Sequence, residues 1–390
     1  MKICACIAEY NPFHLGHLKH IDYIKTQLNA DKLIVVMSGN FTQRGEPAVL
    51  NKFTRAKHAV IAGADAVIEL PAVFATANAE IFATGAVNII NALGCVDGLC
   101  FGVESGEKQA YLTLANAMLD ESKEFKKALK DKLESGVSLA KAKFEALKSL
   151  GNTDLDQNLI SSPNNILGLE YTKAILKNKS KIEIYPMLRE GDHNDQTLKK
   201  GVTSATSIRQ VLKTGNIKKL KKSVPPFVFG DLKEYPYSFD KLIMSAVITS
   251  SAEKIAEICD CTEGLENRIK AFSKDNRTVE TLVDKVSTKR YTSTRIRRIL
   301  MANLLGINKD FVFDCLESKL YAKILAVNSD SKDLISLIAS KSSIPILTRK
   351  SDASNLKKTA LKCFEKDCLA NDLYNLATNE NQNENQMLII

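Results

Sequence analysis

The chain has 390 residues, 54 Lys+Arg against 45 Asp+Glu for a formal net charge of +9, 45% hydrophobic residues and nine cysteines. That length buries cores for two domains, and without a run of about 18 apolar residues no transmembrane helix is expected. The cysteines form no Cys-x-x-Cys and have no histidine at zinc-ligand spacing, so reduced thiols in a cytoplasmic protein are expected, with no structural zinc, disulfide framework or signal peptide.

Residues 2–8 read as a buried strand, Asn11-Pro12 breaks it, and residues 15–28 carry the apolar spacing of a helix. His14 and His17 therefore stand at a strand-to-helix turn. There the helix amides and the positive end of the dipole favour an anion, and Gly16 lets backbone approach closely. Two imidazoles three residues apart share a face and can donate to one phosphate. His14, His17 and His20 account for three of the chain's 5 histidines, which sets this turn apart from a surface helix and points to ATP.

Residues 32–37, 66–70 and 96–101 read as strands, with helices over 52–62, 77–93 and 108–119. Such alternation predicts an α/β fold, a parallel sheet with helices on both faces and ligands at the carboxyl ends of strands. His14, Ser38-Gly39, Glu69-Leu70-Pro71 and Gly102 each follow a strand end and are expected to converge on one crevice. Residues 123–150 form a charged helical stretch. Ser161-Ser162-Pro163-Asn164-Asn165 predicts a capped helix start near Ile166. Residues 181–188 read as the next strand, ending in Arg189-Glu190-Gly191, and residues 203–209 open another helix. After Ser223-Val224-Pro225-Pro226 helical periodicity dominates to about residue 375. The expected division is therefore residues 1–225 and a mainly helical 226–390, with a polar tail disordered from about residue 377.

Charge is clustered. Residues 177–222 carry twelve Lys/Arg against four Asp/Glu, and residues 285–300 six cations and no acid, the footprint of a polyanion site. Residues 204–212 and 292–300 also share a pattern, hydroxyl-x-Thr-x-Ile-Arg-x-aliphatic-Leu, in which a hydroxyl caps a helix whose first turn presents an arginine. Arg295, Arg297 and Arg298 are the expected RNA-phosphate contacts.

His14-x-Gly16-His17 resembles the signature of the nucleotidyltransferase superfamily that includes class I aminoacyl-tRNA synthetases. The run Met37-Ser38-Gly39-Asn40-Phe41-Thr42-Gln43-Arg44-Gly45-Glu46-Pro47-Ala48, then Lys52, Arg55-Ala56 and Gly63-Ala64-Asp65-Ala66-Val67-Ile68-Glu69-Leu70-Pro71, narrows the resemblance to the tRNA(Met) cytidine acetate ligase family. The resemblance implies a Rossmann-like nucleotidyltransferase domain and an ATP-binding segment made of Ile7, Ala8, Glu9, Tyr10, Asn11, Pro12, Phe13, His14, Leu15, Gly16, His17, Leu18, Lys19 and His20. It adds Gly102 after a central strand, Asn164 or Asn165 on the adenine edge or ribose, and Arg189 on phosphate or adenine. Ser204, Thr206 and Arg209 resemble the superfamily's second, phosphate-holding loop. Asn51 departs from the acidic residue expected there.

The implied activity is a two-step ligation in which acetate and ATP give acetyl-adenylate, and the wobble cytidine of elongator tRNA(Met) takes the acetyl group. His14 and His17 would stabilise the phosphate charge. Mg²⁺ is compatible with the triphosphate, although no metal-ligand cluster shows in the sequence. Another adenylyltransferase or an acetate-dependent protein ligase of the same superfamily, or a nucleotide-regulated RNA-binding module, fits the same motif. Oligomeric state is not legible.

Overall fold

The computed structural model describes residues 1–119, 122–135, 137, 139–151, 156–160, 162–189, 204–233 and 238–390. An 8-stranded sheet forms its centre. Strands β1 (Ile3–Ala8), β2 (Lys32–Ser38), β3 (Ala66–Leu70), β4 (Gly98–Val103) and β5 (Glu183–Leu188) lie mutually parallel in the order β5-β4-β1-β2-β3. The chain steps outward from β1 in one direction and then, with β4, in the other. A crevice opens between the carboxyl ends of β1 and β4, where the two directions diverge.

The central strands are nearly continuous apolar runs because both faces are covered. Ile3, Ala5, Ile34, Val36, Ile68 and Leu99 face a core shared with the helices Ala79–Ala92 and Pro163–Lys177. Cys4, Cys6, Leu33, Val35, Met37 and Cys100 face the helices Leu15–Thr26, Lys52–Ile61 and Ala205–Lys213. All nine cysteines are free. Among the described residues no helix is long and apolar enough to cross a membrane.

The charged stretch 123–150 is helical as expected, in two helices, Lys123–Glu134 and Leu139–Ser149. Two expectations need correction. The chain does not part at residue 225. Helices beyond it share a core with the first half, and three later strands, β6 (Ala322–Val327), β7 (Ile346–Leu347) and β8 (Leu388–Ile389), extend the same sheet, β6 antiparallel to β3. The residues between, from Asp240 to Glu317, are helical as expected. The tail after residue 377 is folded back instead of disordered. β8 pairs with β6, and Glu384 reaches into the interior, its carboxylate 2.5 Å from Lys52 Nζ and in contact with Lys323 Nζ. Lys52 also meets Glu69 at 2.7 Å, so two buried lysines are balanced by two buried carboxylates. A polar tail is held because its carboxylate completes a buried charge set.

Candidate active site

The crevice holds a cavity of ≈ 300 Å³. Its floor is the turn from β1 into the helix Leu15–Thr26, whose N-cap is His14. The Gly16 N–H donates to His14 Nδ1 at 3.0 Å, and the His14 N–H donates to His17 Nδ1 at 3.2 Å. The two rings stack, centroids 3.7 Å apart and planes 21° apart. With each Nδ1 accepting from backbone, each neutral ring carries its proton on Nε2, and both become Nε2–H donors. Burial, reinforced by His14 and Arg189, pushes His17 well below the usual histidine range, so it is neutral at neutral pH. Burial and Arg189 likewise push His20 down to about 4. A Cβ on Gly16 would lie 2.9 Å from His14 Cε1, so the ring folds over the helix start only because residue 16 has no side chain.

Of the segment expected to bind nucleotide, Ile7, Ala8, Glu9, Tyr10, Asn11, His14, Gly16, His17, Lys19 and His20 line the cavity, whereas Pro12, Phe13, Leu15 and Leu18 do not. Phe13 is fully buried against Tyr10 and Phe227 and serves packing. The Asn11 side chain accepts from Val49 N at 2.8 Å and so anchors the following loop. Arg55, which the sequence shows only as part of a motif, is fully buried and donates to the carbonyls of Glu9, Ser38, Gly39 and Leu50. It ties the ends of β1 and β2 together behind the cavity. Ser38-Gly39 and Glu69-Leu70-Pro71 do not reach the cavity. Glu69 is committed to Lys52 instead, and Asn51 caps the helix Lys52–Ile61 by accepting from Thr54 N at 2.8 Å.

Gly102 and Arg189 form the opposite wall, where a Cβ on Gly102 would sit 3.1 Å from the Arg189 side chain. The paired asparagines separate cleanly. Asn164 lines the cavity and donates to Glu104. Asn165 is fully buried, and its side chain accepts from Glu104 N, Ser105 N and Tyr111 Oη while donating to Ser105 Oγ and Asn158 O. Its candidacy as a nucleotide contact is therefore corrected, because its amide has no capacity left. Ser162 does not cap its helix through its side chain. The Glu104 carboxylate accepts from both Ser162 Oγ and Asn165 N, and Ser161 lies outside the described residues.

Ser204, Thr206 and Arg209 are brought to the same cavity although they lie some 190 residues from His14 in the chain. Ser204 caps the helix Ala205–Lys213, and Arg209 donates to Asn11 O at 2.9 Å and to Thr206 Oγ1 at 3.3 Å. Glu190, Gly191 and Thr203 lie outside the described residues.

The expected RNA contacts in the second basic segment are not placed for that task. Arg298 is mostly buried and pairs with Asp260 at 3.3 Å, Arg297 pairs with Glu280 at 2.6 Å, and Arg295 donates to Asp260 O and Thr262 Oγ1. Their charge is used inside the protein, to fix the helix Ser293–Leu305 against its neighbours. In the second segment the exposed cations are Lys285, Lys289 and Arg290, and in the first basic segment Lys213, Lys218, Lys219, Lys221 and Lys222 all face solvent. The carbonyl of Ser223, directly after them, accepts from Leu15 N at 3.5 Å, which sets this row beside the histidine turn.

A sheet that reverses direction at β1, with paired histidines at the first turn, defines the HIGH Nucleotidyl Transferase class, and that family's model matches residues 1–387. The tRNA(Met) cytidine acetate ligase of Acetivibrio thermocellus is 40% identical over 392 residues, covering 96% of this chain and 94% of that protein. That of a Thermoanaerobacter species is 38% identical, covering 97% and 96%. The crystal structure of Thermotoga maritima TmcAL bound with alpha-thio ATP matches with a TM-score of 0.91 at 29% identity over 100% of both chains, and its apo form with 0.93. The chain belongs to the tRNA(Met) cytidine acetate ligase family.

Proposed function

We propose that this protein is a cytoplasmic ATP-dependent ligase that joins acetate to the exocyclic amine of the wobble cytidine in elongator tRNA(Met), forming N4-acetylcytidine. The observation that carries the reading is the pair of stacked imidazoles with both Nδ1 atoms held by backbone amides, in the cavity that Arg189 and Arg209 also line. Support also comes from the activity that the relatives' names state and from the alpha-thio ATP bound to the Thermotoga protein.

In the first half-reaction an acetate oxygen attacks the α-phosphorus of ATP and pyrophosphate leaves. Negative charge spreads over the phosphate oxygens, and the Nε2–H groups of His14 and His17 are fixed donors for it, already oriented before substrate arrives. Arg209, with Ser204 and Thr206, receives the β- and γ-phosphates, while Asn164 and Gly102 accommodate the nucleoside. Among the described lining residues Glu9 is the sole carboxylate, so an accompanying Mg²⁺ would be carried chiefly by the triphosphate and water. In the second half-reaction the cytidine amine attacks the acetyl carbonyl, loses a proton, and AMP leaves. The lysine row from Lys213 to Lys222 takes RNA phosphates beside the histidine turn.

Radiolabelled acetate tests both steps. With ATP alone it should give an enzyme-bound adenylate and release pyrophosphate, and added tRNA(Met) should move the label to cytidine. Adenylate that never transfers its label to RNA points to a different acceptor, and ATP binding without pyrophosphate release overturns the ligase reading.

A further inference from the structure

Two helix starts that read alike in the sequence meet on one carboxylate. Within the pattern shared by residues 204–212 and 292–300, Arg209 and Arg297 occupy equivalent positions, as do Ser204 and Thr292, which cap the helices Ala205–Lys213 and Ser293–Leu305. Glu46 stands between the two arginines, Oε2 at 3.9 Å from Arg209 Nε and Oε1 at 3.7 Å from Arg297 Nε. These are ion-pair separations, longer than hydrogen bonds. Hydrogen bonds from the two guanidiniums run elsewhere, from Arg209 to Asn11 O and Thr206, and from Arg297 to Glu280.

The loop that carries Glu46 is pressed onto the second helix. Gly45 has φ +71, and a Cβ there would lie 2.4 Å from the backbone of Arg297 and Arg298, so only glycine fits. Gln43 and Arg44 of the same loop line the nucleotide cavity, and Gln43 N donates to the Glu9 carboxylate at 2.7 Å. A short rigid path thus runs from the helix Ser293–Leu305, which does not touch the cavity, to the arginine that does.

We propose that Glu46 is a positioning residue that sets Arg209 for the ATP phosphates, and that Arg297 holds Glu46 in place, so that the helix Ser293–Leu305 is coupled to adenylate formation. This rests on the reading of Arg209 as a phosphate ligand. Without the Glu46 charge the two guanidiniums lack their common counter-ion, and Arg209 is held by its bonds to Asn11 O and Thr206 without the pull of that carboxylate, while its attraction for phosphate remains. The signature is therefore a fall in kcat with the KM for ATP unchanged or lower.

Acetate-dependent pyrophosphate release should fall on the order of tenfold in kcat in Glu46→Gln and by a smaller factor in Arg297→Gln. The double variant should be no worse than Glu46→Gln alone, because both changes break one link. Arg297→Lys should recover part of the loss. Glu280→Gln, which disturbs Arg297 without touching Glu46, should stay within about twofold of wild type. Losses that multiply in the double variant, or a Glu280→Gln defect equal to that of Arg297→Gln, overturn the coupling and leave only helix packing. Thermal midpoints on the same variants separate unfolding from slow chemistry. Arg209→Ala isolates the underlying reading. If it behaves as wild type, Arg209 is not a phosphate ligand; if it fails while Glu46→Gln is normal, the coupling alone is wrong.

Discussion

The His14 and His17 rings stack 3.7 Å apart while backbone amides occupy both Nδ1 atoms. Each ring is thus oriented by a bond to the helix start itself, which in the neutral imidazole leaves the proton on Nε2. Backbone that would otherwise leave amides unpaired at the helix N-terminus instead fixes two imidazole rings in the wall of the cavity.

His14→Ala and His17→Ala should each cost about 2.7–4 kcal/mol of transition-state stabilisation in pyrophosphate release, with circular dichroism unchanged. The tautomer adds a sharper expectation. A glutamine amide reaches the position of Nε2 and an asparagine amide that of Nδ1, so His17→Gln should retain more activity than His17→Asn. The reverse order would mean that Nδ1 is the working atom.

Asn164 and Asn165 should part in their effects. Asn164→Ala should raise the KM for ATP with the thermal midpoint nearly unchanged. Asn165→Ala strands several buried partners, each costing about 1–3 kcal/mol, and should show first as a lowered midpoint in thermal unfolding. Equal stability of the two variants would contradict the bonding seen at Asn165.

Stability of the free protein should fall as pH drops from about 7 toward 4. Unfolded imidazoles bind protons below about pH 6.5, while folded His20 resists until about 4 and folded His17 until well below its usual range, so the unfolded state takes up more protons. For His20 the loss amounts to roughly 3 kcal/mol by the lower limit. Urea unfolding at a series of pH values should give a flatter curve for His20→Gln than for wild type. Parallel curves would mean that the ring is not held neutral.

Glu384→Gln should destabilise the fold by about 3–5 kcal/mol, because it leaves Lys52 and Lys323 buried with Glu69 as their main counter-charge. Burial and the neighbouring Lys52 already lower Lys323 to about 7, so the penalty should shrink at alkaline pH, where that lysine sheds its proton. Denaturant melts at pH 7 and pH 9 check both the loss and its pH trend.

Replacing Lys218, Lys219, Lys221 and Lys222 with alanine should weaken tRNA binding and flatten its salt dependence, by about 0.9 in log–log slope for each duplex phosphate that is no longer neutralised. Arg298→Ala should instead lower the thermal midpoint. Filter binding across a salt series distinguishes a docking surface from lysines that are only solvated.

The strand-to-helix turn at His14, the run of five parallel strands and the helices between them are legible in the chain before any folding is considered. These features are written in local terms: apolar period, capping residues, a glycine where a ring must fold back. Which asparagine faces the cavity is settled by packing across the fold, since Asn164 and Asn165 have the same local chemistry and differ only in what surrounds them. The same holds for Arg297 and Arg298, which are engaged within the protein because the fold brings the carboxylates of Glu280, Glu46 and Asp260 to them. The strand β6 was hidden for a related reason. Lys323 interrupts its apolar run, and that charge is tolerable only because Glu384 and Glu69 arrive from the chain's end and from β3 to cancel it. Periodicity records which face a residue turns to the core, but a buried charge is settled by a partner that no local pattern announces.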